Sequence, residues 1–333
     1  MHRVASRQYE AAFNRSHPVA GTGSPGDRFG RYRLLELIGR GGMAEVFRAV
    51  GPGGSQAASF VIKRIRPDRS DSPSFVQMFC DEARISALLD HPNIVRVFDF
   101  GQIDGAYFMA MEYLDGHDLS AVLRAQRARR RPMPPPVAAF VAREAARALE
   151  HAHAARLPGG EPGDIVHRDV SPGNVMLLWS GAVKILDFGI AKAASQARSA
   201  DDADGRPRLA GHLGYLAPEQ LRGGDVDRRA DVFSLGVVLF EMLTGHRLFT
   251  GRDEFETMRS VLHEPLTPRL VSGLPSGMRV ILEHALARDP VQRTPTAGEL
   301  ADDLDVFLSD TTLPGLGPQA GVRSLLADLF GRA

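Results

Sequence analysis

Residues 165–189 read IVHRDVSPGNVMLLWSGAVKILDFG. Asp169 can orient a nucleophile, and Asn174 and Asp187 offer oxygen to a hard cation. The apolar runs Val175 to Leu178 and Ala182 to Leu186, joined by Ser180-Gly181, predict two short strands in a hairpin. Pairing those strands brings the Asn174 end beside the Asp187 end. An amide and a carboxylate then converge where they can share cations.

The chain has 333 residues, enough for an ample core in one large domain or two lobes. Hydrophobic content of 44% with 24% charged residues is ordinary for a globular protein. A formal net charge of zero gives no global field to draw nucleic acid or an anionic membrane. The one cysteine, Cys80, excludes an internal disulfide, and no Cys/His cluster points to zinc. No apolar run is long enough to span a bilayer, and the N-terminus lacks an apolar signal core, so no membrane insertion and a cytoplasmic location are expected. Positive charge is almost all arginine: Lys63, Lys184 and Lys192 are the only lysines. Asparagine is as scarce, at Asn14, Asn93 and Asn174. Biased codon usage explains the scarcity but not the positions that survive it.

Working outward, residues 1–28 are rich in Gly, Ser, Pro and Arg without periodicity and predict a disordered tail. Tyr32 to Ile38 and a run after Ala44 predict strands around Gly39, Gly41 and Gly42. Such a turn suits close approach to phosphate, or it is a plain hairpin. It lacks both a following helix and a Gly-Lys-Ser/Thr, against a dinucleotide fold or a Walker loop. Phe60 to Lys63 predicts another strand; Lys63 either points to solvent or meets phosphate. Ser74 to Leu89 has helical spacing, with Glu82 near its middle as an exposed charge or a partner of Lys63. Two more strands, Ile94 to Phe100 and Ala106 to Met111, flank a turn at Asp104-Gly105. From Asp118 on, helical patterns dominate. Five strands with one helix, then mostly helices, predict an α+β small lobe followed by a helical large lobe. The arginine run Arg124 to Arg131, closed by prolines, reads as a solvated helix end and a stop, with a basic docking patch as the other reading. Residues 309–333 hold Pro and Gly and then a short amphipathic piece, Val322 to Phe330, which could dock on the domain or on a partner.

These residues carry a family resemblance. Residues 29–308 resemble the eukaryotic-like (Hanks-type) protein kinase family and look most like bacterial serine/threonine protein kinases. The matching stretches are IGRGGMAEVF at 38–47, Lys63, Glu82, HRDVSPGN at 167–174, DFG at 187–189, APE at 217–219, DVFSLG at 231–236 and Arg293. The resemblance implies a two-lobed protein kinase-like fold: a five-stranded sheet plus one helix in an N-lobe at 29–112, and a mainly helical C-lobe at 116–308. It implies ATP and Mg2+ as cofactors and phosphoryl transfer to Ser/Thr hydroxyls of protein substrates in intracellular signalling. Asp169 would orient the hydroxyl and accept its proton. Asn174 and Asp187 would ligate Mg2+. Lys63 would contact the α/β phosphates, held straight by Glu82. Ile38, Gly39, Gly41, Gly42 and Ala44 would cover the phosphates. Val46, Val61, Met111 and Met176 would surround adenine, with Glu112 and Leu114 backbone groups bonding the base and Asp118 reaching the ribose. Glu219 and Arg293 would form a buried structural bridge.

Departures from the family pattern concentrate near the transferred phosphate. Ser171 stands where the catalytic loop usually has lysine, and His212 where the loop before APE usually has threonine. A pseudokinase acting as a nucleotide-binding scaffold is the alternative these changes raise, although Lys63, Glu82, Asp169, Asn174 and Asp187 are all present. Residues 190–215 contain no threonine, so Ser195, Ser199 and Tyr215 carry the only hydroxyls for phospho-control there. Regulation through a partner at either tail is expected to supply the signal.

Overall fold

The computed structural model describes residues 26–41, 44–51, 59–70, 72–188, 213–267, 271–311 and 317–331. Gly42, Gly189, Ser195, Ser199, His212 and the N-terminal tail through 25 lie outside the described residues. The chain divides into two compact units: 1–90 with 95–114, and 91–94 with 115–333.

The first unit is a six-stranded antiparallel sheet ordered β1-β2-β3-β4-β6-β5. Its strands are β1 (Arg28–Phe29), β2 (Tyr32–Arg40), β3 (Ala44–Val50), β4 (Ser59–Ile65), β5 (Val97–Ile103) and β6 (Ala106–Glu112), with helix α1 (Pro73–Leu88) inserted after β4. The five expected strands are present, and two-residue β1 adds a sixth at the edge by pairing with Tyr32 and Arg33. Such a short strand carries no period for a sequence to reveal. Asp104 and Gly105, at φ 48° and 78°, make the expected tight turn between β5 and β6, a left-handed geometry that Asp and Gly tolerate. Side chains alternate between faces along each strand. Phe47, Ile62 and Ala110 share one row and join Phe29, Tyr32, Leu34, Ala49 and Phe108 in a buried cluster. Val46, Lys63 and Met109, then Val61 and Met111, share the opposite face.

The second unit is helical around a small sheet ordered β7-β8-β9: β7 (Gly116–Asp118), β8 (Val175–Leu178) and β9 (Val183–Ile185). Its helices are α2 (Leu119–Ala128), α3 (Pro135–His153), α4 (Pro218–Arg222), α5 (Arg229–Thr244), α6 (Glu254–His263), α7 (Ser276–Ala285), α8 (Ala297–Asp310) and α9 (Pro318–Phe330). From Ala230 to Leu243 every residue of α5 is buried, as its largely apolar text requires, and Asp231, Ser234 and Glu241 are buried with it. The hairpin predicted at the outset is present, with Val175 opposite Ile185 and Gly181 at φ 88° in the turn. The arginine run is not simply solvated. Arg127 pairs with buried Glu241 and donates to the Gly245 carbonyl, capping the end of α5, while Arg129 and Arg131 meet Asp328 of α9. Among the described residues no helix is long and apolar enough to cross a membrane.

Candidate active site

In the first unit, the pleat places Val46, Val61, Lys63 and Met111 on one face of the sheet. Helix α1 brings Glu82 to that face, and the Lys63 ammonium meets its carboxylate at 2.5 Å, with both side chains largely buried. A solvent-facing lysine is thereby ruled out. Gly39 lies opposite Val46 in the register. A Cβ at Gly39 or Gly41 would meet only ordinary contacts, at 3.6 and 3.5 Å, and neither residue has positive φ. Folding therefore does not demand glycine at either position, and the missing side chains leave the backbone open to close approach. The Gly41 N–H is turned onto the Ala44 carbonyl at 2.8 Å, so it closes the hairpin turn and is not directed at phosphate. Ile38 is about half exposed, and Ala44 is buried. The Glu112 N–H donates to Arg96 O at 3.0 Å, and its carboxylate accepts from the Arg96 N–H at 2.8 Å. This backbone N–H therefore anchors the chain after β6 and is not a contact for the base. Leu114 is half-buried two residues on.

In the second unit, the catalytic-loop residues are gathered by a buried carboxylate on α5. Asp231 is fully buried. Its two oxygens accept from the backbone N–H groups of His167 and Arg168, each at 2.8 Å, and one also meets His153 Nε2 at 2.8 Å. Arg168 is held at φ 64°, a conformation non-glycine residues seldom adopt, and its carbonyl accepts from Gln220 Nε2 at 3.0 Å. Asp169 follows. The Asn174 amide donates to the Asp169 carbonyl at 2.8 Å and to its carboxylate at 3.0 Å. That orientation leaves Asn174 Oδ1 as the oxygen for a cation. Buried His167 reaches Leu186 O through Nε2 at 2.9 Å, and Leu186 N–H bonds Asn174 O at 2.9 Å. The loop carrying Asp169 is thus tied to the residue before Asp187. Asp187 itself sits at φ 39°, a second strained non-glycine position. An amide and two carboxylates at the open end of one hairpin are an oxygen-rich set suited to magnesium.

Asp118 caps α2 through one oxygen, accepting from Ala121 N at 2.8 Å, and pairs in register with Met176. Arg293 forms a two-pronged pair with Glu219 at 2.6 and 3.0 Å and is itself buried, as the structural bridge requires. Ser171 is buried, and its hydroxyl has no hydrogen-bond partner. Sequence reasoning gave no role to Asn93, whose amide bonds Glu144 at 3.0 Å and Val183 O at 2.9 Å, pinning β9. The scarcity of asparagine was the available signal. It also missed the cluster in which the Tyr215 hydroxyl donates to buried Glu241 at 2.5 Å while half-exposed Arg127 pairs with the same carboxylate. Burial and the Glu241 charge push the Tyr215 phenol well above its usual range.

The sequence pattern of the protein kinase domain matches residues 32–303. This chain belongs to the protein kinase family. Over 286 residues the kinase is 44% identical to the tyrosine-protein kinase MasK of Myxococcus xanthus, an alignment covering 85% of this chain and 44% of that protein. It is 34% identical over 277 residues to the serine/threonine-protein kinase PrkC of Bacillus subtilis, covering 83% and 40%. It is 36% identical over 280 residues to the serine/threonine-protein kinase PknB of Mycobacterium tuberculosis, covering 82% and 42%. The chain therefore spans less than half the length of these relatives. Among solved structures it resembles the PknI kinase domain of M. tuberculosis, with a TM-score of 0.62 at 28% identity, covering 86% of this chain and 99% of that one. These relatives agree with a kinase fold built from a curled antiparallel N-lobe sheet and a helical C-lobe.

Proposed function

We propose that residues 29–308 form a kinase domain that transfers the γ-phosphoryl group of ATP to serine and threonine hydroxyls of proteins. The observation that carries this is the pair of bonds from the Asn174 amide to Asp169. They fix the Asp169 carboxylate for an incoming hydroxyl and leave Asn174 Oδ1, beside Asp187 in the hairpin, for metal. Bound Mg2+ would supply charge neutralisation at the phosphates. Asp169 orients the acceptor hydroxyl and takes its proton as the new oxygen–phosphorus bond forms and the bond to ADP breaks. Lys63, held by Glu82, steadies the α/β phosphates. Gly39 permits their close approach, and Val46, Val61, Met111 and Met176 present apolar surface to the base. Asp118 can bond the ribose through the oxygen that does not cap α2. Positioning and charge, more than covalent chemistry, supply the rate. A reaction drawing on ATP and magnesium fits a cytoplasmic setting, with protein substrates and a regulatory partner at the tails.

A tyrosine acceptor is the second reading, favoured by the 44% identity to a relative named as a tyrosine kinase. Against it, Ser171-Pro172-Gly173 does not resemble the alanine-rich loop of tyrosine kinases. Against the scaffold alternative, Lys63, Glu82, Asp169, Asn174 and Asp187 are all present in the sequence. Incubation with γ-labelled ATP and magnesium, followed by phosphoamino-acid analysis of the labelled protein, decides the acceptor. Phosphoserine or phosphothreonine is expected; label confined to tyrosine overturns the assignment.

A further inference from the structure

Helix α9 lies on the second unit against α2, α3 and β8. Val322, Leu326 and Phe330 form one stripe at four-residue intervals, and Val322 and Leu326 are fully buried. At its start, Gly321 packs so tightly on Val137 that a Cβ would approach it to 2.9 Å. Gly181, in the turn between β8 and β9, has no room for a side chain beside the Gln319 carbonyl. Arg323 donates to Ser180 O at 3.3 Å. At its end, Arg129 donates to Leu329 O at 3.1 Å and pairs with Asp328 at 3.1 Å, placing cations at the negative end of the helix. The amphipathic piece therefore docks on its own domain.

Its last turn reaches β7, the strand that ends at Asp118. The Phe330 ring stacks on His117 at 3.7 Å between centroids and 13° between planes. On the same imidazole, Trp179 packs edge-on at 5.6 Å. His117 is the central residue of β7, paired with Leu177, while its neighbour Asp118 is paired with Met176. Successive residues of a strand face opposite ways. A ring pressed on His117 thus fixes, from behind, the row formed by Asp118 and Met176.

We propose that α9 braces β7 for nucleotide binding, with Phe330 and His117 as positioning residues. This rests on the kinase reading in which Asp118 and Met176 meet ATP. The test uses the whole chain and two readouts. The chain's single tryptophan, Trp179, reports the contact by fluorescence, and calorimetric ATP binding with steady-state kinetics reports its consequence. Phe330→Ala is expected to red-shift Trp179 and to raise Kd and KM for ATP by about tenfold, with kcat held within about twofold. Phe330→Tyr, which keeps the stack, restores wild-type values. His117→Ala reproduces the loss, and the double variant adds little to it. Should Phe330→Ala fail to fold, Phe330→Leu removes the ring but keeps the apolar bulk and is judged by the same readouts. A red shift with unchanged ATP affinity makes α9 a stability element only and overturns the brace, as does a loss confined to kcat. A wild-type chain that binds no ATP overturns the kinase reading itself and the brace with it.

Discussion

Lys63 and Asp169 reach their places by different means. Lys63 depends on contact between two side chains from separate elements, its ammonium on β4 and the Glu82 carboxylate on α1. Asp169 depends on the backbone around it, because the N–H groups of His167 and Arg168 bond one buried carboxylate, Asp231, inside α5. A side-chain contact can be broken by moving one helix. A backbone held by a carboxylate inside an all-buried helix moves only if the core does. The Lys63–Glu82 contact is therefore the easier of the two to disturb, while the backbone around Asp169 is fixed by the core of the second unit.

The comparison can be broken most sharply at Asp231. Asp231→Ala strands two buried N–H donors and the His153 ring, each orphaned group costing about 1–3 kcal/mol. A large drop in the denaturation midpoint with loss of transfer is expected. An unchanged midpoint would show that the loop is held by something else. Next in size, Lys63→Met is expected to lower kcat/KM by about 10²–10³-fold, with a smaller drop in the denaturation midpoint than Asp231→Ala because it takes the ammonium away from the buried Glu82 carboxylate. Glu82→Gln should be similar in kind, and the double variant no worse than Lys63→Met alone. Additive losses would mean that the two act independently.

Gly39→Ala sharpens the account of the first unit. Its Cβ would have room in the fold, so stability should change by less than about 1 kcal/mol while KM for ATP rises several-fold. A large stability loss with unchanged KM would make this glycine structural. The smallest effect concerns His91 in the second unit. Burial lowers its pKa, helped by the neighbouring His151 and by Arg147 and Lys184, against the opposing charge of Glu144. The folded state then favours the neutral ring, so the contribution to stability is complete above the unfolded pKa of about 6.5 and lost as pH falls through the folded value. Thermal melts between pH 7 and pH 5 should show a modest decline that His91→Gln reduces.

The order of strands and helices was legible in the sequence because strand alternation, an apolar helix and glycine turns leave local signatures. The residues proposed for the chemistry came from two signals: spacing singled out Asp169, Asn174 and Asp187, while Lys63 and Glu82 took their proposed roles only from the family resemblance. What holds them was less legible. Asp231 lies more than sixty residues from the N–H groups it accepts, and Asn93 reaches β9 ninety residues away. Long-range bonds from one side chain to backbone leave no periodic trace. Positive φ was equally hidden: arginine at 168 rarely adopts it, and aspartate at 187 tolerates it without requiring it. The Val322–Phe330 stripe showed that a helix would bury one face but not which surface would receive it.

The most direct test of the catalytic account compares the wild-type chain with Asp169→Asn, measuring magnesium-dependent ATP binding and transfer of γ-label to a generic basic protein side by side. Labelled product is expected from the wild type, and equal nucleotide binding with transfer reduced by about 10²–10⁴-fold from the variant. Equal transfer by both, or nucleotide binding without transfer by the wild type, would contradict it.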